Sequence, residues 1–99
     1  MAVPPERPDL FVVARFLERL WREGEPMLKT RLQVAANVNY DVFARYLAWL
    51  LARGLVAVET NPGERELVAI TEKGRRAYRQ LVEWMNEFVL GRRPDLPHP

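Results

Sequence analysis

Ninety-nine residues hold one domain with a modest core, and a hydrophobic content of 48% is enough to build it. The 15 basic and 13 acidic residues nearly cancel to a net charge of +2, so a pI near 9.4 overstates how basic the surface is. No cysteine and a single histidine, His98, exclude disulfides, thiolate nucleophiles and Cys- or His-clustered metal sites, and no apolar run reaches the ~18 residues of a membrane span.

The opening "MAVPPERPDL" lacks the basic-then-apolar order of a signal peptide. Both ends are proline-rich, "VPPERP" and "RRPDLPHP", and are expected to be flexible tails over residues 1–8 and 91–99. Asp9 can cap a first helix, in which Leu10, Val13, Phe16, Leu17, Leu20 and Trp21 make one apolar stripe and Gly24 ends it. The segment "LKTRLQVAANV" predicts a second, short helix with Thr30 as cap, Leu32, Ala35 and Ala36 on one face, and Asn37 in the left-handed conformation that closes it. Val38, between two asparagines, is placed as a buried plug. Asn39 caps a third helix, with Asp41 in its first turn and Phe43, Tyr46, Leu47, Leu50 and Leu51 on its core face. Its other face, Asp41, Ala44, Arg45, Ala48 and Ala52, is narrow and small, and Gly54 closes the helix.

From Leu55 the period changes to two. "LVAVET" and "ELVAI" predict a β-hairpin, with Gly63 supplying the positive φ of a Pro62-Gly63 turn. Thr71 then caps a final helix, "TEKGRRAYRQLVEWMNEFVL", ended by Gly91. Gly74 near its start is unfavourable unless another backbone packs there.

Helix, helix, tight turn, helix, hairpin, helix is the order of a winged helix-turn-helix, a mostly α fold with a small β-hairpin (α+β). The winged-helix domain is expected over residues 9–70, with the recognition helix at 40–53 and the wing at 55–70. The C-terminal helix at 71–90 is long enough to serve dimerisation. The run "TRLQVAANVNYDVFARYLAWLLARGLV", followed by a hairpin and "ITEKG", also resembles the small winged-helix regulators widespread in archaea, including ArnR-like regulators and short chromatin-associated proteins with a C-terminal coiled coil. Thr30, Arg31 and Leu32 match their first block, and Asn37 and Tyr40 their second, where Val38 and Asn39 stand for leucine and serine. Tyr46, Leu47, Gly54, Leu55, Thr71, Lys73 and Gly74 match the rest. The resemblance implies double-stranded DNA as partner and a homodimer, built in relatives on an antiparallel coiled coil; with fewer than three heptads in this helix, a short coiled coil and a helical bundle are both open.

Arginine outnumbers lysine 13 to 2, which suits bidentate grip on phosphate and equally a heat-adapted or GC-rich composition. The candidate DNA contacts are Lys29 and Arg31 on the second helix, Asn39, Tyr40 and Arg45 on the third, Asn61 and Arg65 at the wing, and Lys73, Arg75, Arg76 and Arg79 on the last. Each has a plainer role open to it. Arg31 can pair with a carboxylate, Asn39 caps, Tyr40 can pack on the fold, and "EKGRRAYRQ" can be a solvated face. Arg45 stands out because it is alone on a small, apolar surface. Tyr78, Leu81, Trp84, Met85, Phe88 and Val89 are the candidate dimer interface, unless the helix folds back on the first one. No catalytic constellation, cofactor motif or metal ligand set is evident, so the expected function is a cytoplasmic, nucleoid-associated, sequence-specific transcription regulator with no membrane contact. A protein-interaction winged helix and a non-specific architectural chromatin protein are the alternatives.

Overall fold

A computed structural model describes residues 2–89. The expected 91–99 tail and the closing Gly91 lie outside the described residues.

Helix α1 spans Leu10–Glu23. The Asp9 carboxylate accepts from the Phe11 N–H at 2.8 Å, and Gly24, at φ 75°, closes the other end in the left-handed region. Its stripe of Val13, Phe16, Leu17 and Leu20 is buried. A two-residue strand, β1 (Met27–Leu28), follows and runs straight into α2 (Lys29–Ala36). This displaces the expected cap. Leu28 precedes the helix with no side-chain cap bond, and Thr30 sits inside the first turn rather than before it. Asn37 closes α2 at φ 57°, as expected, and Val38 is half-buried against the core.

Helix α3 spans Tyr40–Ala52, and the Asn39 side chain accepts from the Val42 N–H at 2.8 Å. Phe43, Tyr46, Leu47 and Leu50 are buried. Phe16 stacks on Phe43 at 5.5 Å and on Tyr46 at 6.1 Å, so an aromatic row locks α3 onto α1. Each fully buried large apolar side chain here is worth roughly 1.5–3 kcal/mol.

Strands β2 (Val56–Thr60) and β3 (Glu66–Ile70) form the predicted hairpin. The sheet is three-stranded, in the order β1-β3-β2 and antiparallel throughout. Met27 lies opposite Val68, and Val58 lies opposite Val68 from the other side. The added strand covers part of what would otherwise be an open edge of β3.

At the hairpin tip the Asn61 carbonyl accepts from the Glu64 N–H at 2.9 Å, and its side chain accepts from the Arg65 N–H at 2.9 Å. The positive φ falls on Glu64, at 60°, and not on Gly63. A type I turn at Pro62-Gly63 needs one following residue in the left-handed region to rejoin the ladder, and here that residue is a glutamate. Glu64→Gly is therefore expected to stabilise the fold by up to about 1 kcal/mol in a urea titration.

The hairpin is clasped to the end of α3 by Thr71. Its hydroxyl donates to the Gly54 carbonyl at 2.6 Å and accepts from the Gly74 N–H at 2.9 Å, and its N–H donates to the Leu55 carbonyl at 3.1 Å. Gly74 is buried against Leu55, which is the close backbone approach its position in a helix requires.

Helix α4 spans Glu72–Trp84 and then widens into a π-helical turn, Met85–Val89. The expected uninterrupted helix to residue 90 is thus broken after Trp84, and the side chains beyond are rotated relative to a straight α-helix. Tyr78 meets Trp21 of α1 at 5.5 Å, and Leu81 packs on the core, so two of the expected dimer residues are engaged within their own chain. Burial pushes the Tyr78 hydroxyl above its usual pKa, with Glu18 adding to the shift and Arg22 opposing it. Trp84 and Phe88 meet each other at 5.9 Å, and both are exposed. No helix among the described residues is long and apolar enough to cross a membrane.

Candidate nucleic-acid interface

The surface of interest lies where α2, α3 and the wing converge. The β1–α2 junction brings Lys29 to one side of a groove of about 310 Å³. The Asn39 cap starts α3 so that Tyr40 lines the groove, and the hairpin brings Arg65 to it as well. Thr30 and Gln33 complete the polar lining, and Phe43 forms its apolar floor. Tyr40 is 66% exposed, a large aromatic area to leave facing solvent.

One carboxylate tempers this cluster. Lys29 Nζ lies 3.2 Å from Glu66 Oε1, a partly exposed pair worth little to stability but one that halves the local positive charge. Thr30, Gln33 and Glu66 were not among the residues expected at the site. Glu66 in particular lies 37 positions from Lys29, and only the strand register puts them together.

Along α3 the groove continues into a shallow trough between Lys29, Tyr40, Ala44, Ala48 and Leu51. Small side chains keep this face low, so another surface can approach the backbone closely. Arg45 is exposed beside it, and its Nε donates to the Val3 carbonyl at 3.1 Å. At the far end Arg53 lies over the Trp49 ring at 4.3 Å.

The other expected contacts are elsewhere. Arg31 pairs with Glu23 at 3.5 Å and borders a separate groove with Arg19 and Val34. Asn39 is a helix cap. Lys73 starts α4 beside Gly54, at the opposite end of α3 from Tyr40. Arg75 and Arg79 lie over the Trp21 ring at 5.6 and 5.8 Å, and Arg76 is exposed. The structure therefore joins Lys29, Tyr40 and Arg65 around one groove and does not gather the α4 cations there. Among the described residues no group of three or more His, Cys, Asp or Glu could hold a metal ion.

A family model described as winged helix-turn-helix matches residues 7–88. The chain belongs to the winged helix-turn-helix family. This winged helix-turn-helix chain is 32% identical over 62 residues to an uncharacterized protein of Methanocaldococcus jannaschii, a match that covers 63% of this chain and 58% of that protein, under two thirds of its length. Its structure is similar to a winged-helix DNA-binding protein from STIV, with a TM-score of 0.76 and 18% identity over 88% of this chain and 100% of the other. It is also similar to Sso10a-2, a DNA-binding protein from Sulfolobus solfataricus, with a TM-score of 0.69 and 24% identity over 86% and 87% of the two chains. At these identities the two structures bear on the fold alone. The resemblance to archaeal winged-helix proteins drawn from the Thr30-to-Gly74 motifs is borne out.

Proposed function

We propose that this winged helix-turn-helix chain binds double-stranded DNA as a sequence-specific transcription regulator in the cytoplasm, with α3 in the major groove and the wing on the backbone or in the minor groove. The observation that carries this reading is the convergence of Lys29, Tyr40 and Arg65 on one groove at the leading end of α3, beside a low face bearing Arg45. Lys29, Arg31 and Arg65 take the phosphates, while Asn39, Tyr40 and Arg45 meet base edges. Lys73, Arg75 and Arg76 add to the positive field at the flank, Arg75 least because it lies over Trp21. Two such chains, joined through Trp84, Met85, Phe88 and Val89 with support from Tyr78 and Leu81, would present a two-fold pair of reading heads. Exposed Trp84 and Phe88 at the end of the last helix support that pairing. The site offers a binding surface and no group placed to transform a substrate.

Titration of the labelled protein with a duplex, followed by amide shifts, tests the reading. Perturbations should concentrate at Lys29–Thr30, Asn39–Arg45 and Arg65. Shifts confined to α4 would overturn it. Glu66→Gln should tighten binding about three-fold at low salt by freeing Lys29, with stability unchanged within about 0.5 kcal/mol.

A second reading has its own support. The trough is lined by Ala44, Ala48 and Leu51 with Lys29 as the one cation among its described lining residues, and its small apolar side chains also suit a protein partner. Perturbation of that trough by protein but not by DNA would favour it, and equal affinity for all duplexes would favour an architectural role.

A further inference from the structure

The segment ahead of α1 lies on the face of α3 that the DNA reading sends into the groove. Ala2 lines the same trough as Tyr40, Ala44, Ala48 and Leu51. The Val3 carbonyl accepts from Arg45 Nε at 3.1 Å and so takes up a donor of the arginine best placed to read a base. At the other end, the Asp9 N–H donates to the Tyr46 hydroxyl at 2.8 Å, which ties the segment's exit to the middle of α3. Resting on the DNA-binding reading, we propose that residues 2–8 are an intramolecular competitor of DNA, closing the recognition face in the free protein and leaving it on binding.

The composition fits a strap that closes cheaply and opens easily. Pro4, Pro5 and Pro8 restrict the free chain, so little entropy is lost when it docks. Little also holds it down, because Val3 is 72% exposed and one hydrogen bond secures Arg45. Glu6 and Arg7 cancel in charge, whereas an arm built to follow a DNA groove would carry an excess of cations. The segment therefore competes for the α3 face and does not extend the DNA contact. Its closed state is weak, and its effect on affinity is modest and graded.

The full chain is compared with a form lacking residues 2–7 and with a Pro4→Gly/Pro5→Gly variant, which keeps the backbone acceptor but loosens the strap. Asp9 and its cap are intact in all three. Fluorescence anisotropy with one duplex reads affinity, and exchange of the Arg45 Nε–H reads the contact in the free protein. The deletion should tighten binding about five-fold with the salt slope unchanged, and the glycine variant about two-fold. The Arg45 Nε–H should be protected only in chains that keep the strap. Equal affinity of the full and shortened chains, weaker binding by the shortened one, or an unprotected Nε–H in the full chain each overturn the proposal. If neither form binds DNA at low salt, the DNA reading itself fails and the proposal falls with it, a result distinct from equal, measurable binding.

Discussion

Replacing Gly74 with alanine will destabilise the fold by about 3 kcal/mol, through the tightest clash an added methyl would meet at any glycine among the described residues. An ideal Cβ at this position lands on the Leu55 carbonyl oxygen and lies 2.9 Å from Ile70 Cγ1. Neither neighbour can step aside cheaply. The Leu55 carbonyl accepts from the Thr71 N–H, and Ile70 is held in the β3 ladder opposite Val56. Moving α4 outward instead would break the Thr71 clasp onto Gly54 and open the packing of Tyr78 and Leu81 on α1. In a domain of this size the loss should appear as a fall of roughly 15 °C in melting temperature. Gly63→Ala is the natural control. Its added methyl would meet only Asn61 Oδ1, at 3.4 Å, at a φ any residue adopts, so thermal unfolding should barely change. A Gly74→Ala chain that melts with the parent would show that α4 does not pack on the β2 entry as described.

Arg45→Ala should weaken binding to a preferred duplex by about 2 kcal/mol, roughly thirty-fold, while leaving the fold intact. Arg45 is exposed, and its neighbours on that face, Ala44 and Ala48, reach too short a distance to compensate. Its described polar contact is to the backbone of the N-terminal segment, so its removal leaves no buried partner unsatisfied, and stability should stay within about 0.5 kcal/mol. Loss of a base contact should also flatten the preference between sequences. Loss of a phosphate contact, as in Lys29→Ala, should weaken all duplexes alike. Isothermal titration with preferred and scrambled duplexes separates these two signatures. Unchanged affinity for both would remove Arg45 from the interface.

Much of the fold was legible because its boundaries are local chemistry. Asp9, Asn39 and Thr71 each cap the helix they precede, and Asn37 turns left-handed after α2. Gly74 was flagged by its cost in a helix, and the Leu55 backbone explains it. What escaped depends on partners distant in the chain. Strand β1 is two residues long, too short for any period, and exists because Met27 finds Val68. That pairing in turn moved the start of α2 ahead of Thr30. The left-handed residue of the wing was placed on glycine by propensity, but the register of the hairpin assigns it to Glu64. The π-helical turn after Trp84 has no local marker such as proline or glycine.

The candidate site divides in the same way. At the leading end of α3, residue type alone left Tyr40 open between packing on the fold and meeting DNA, and in the structure it stands exposed in the first turn after the Asn39 cap. The cations were gathered by residue type, and type alone does not say that Arg31 meets Glu23, that Arg75 lies over Trp21, or that Glu66 faces Lys29. Nor does it bring the Val3 backbone to Arg45, since a carbonyl acceptor has no signature in sequence.

The measurement that bears most directly on the central claim is anisotropy of a labelled random duplex titrated with the full chain, at low and then physiological salt. Entry of α3 and the wing into DNA predicts binding at low salt that falls steeply as salt rises, with a log–log slope near −3 for each protomer, from the phosphate contacts of Lys29, Arg31 and Arg65. No binding at low salt, or binding indifferent to salt, would contradict it and assign the α3 face to a protein partner.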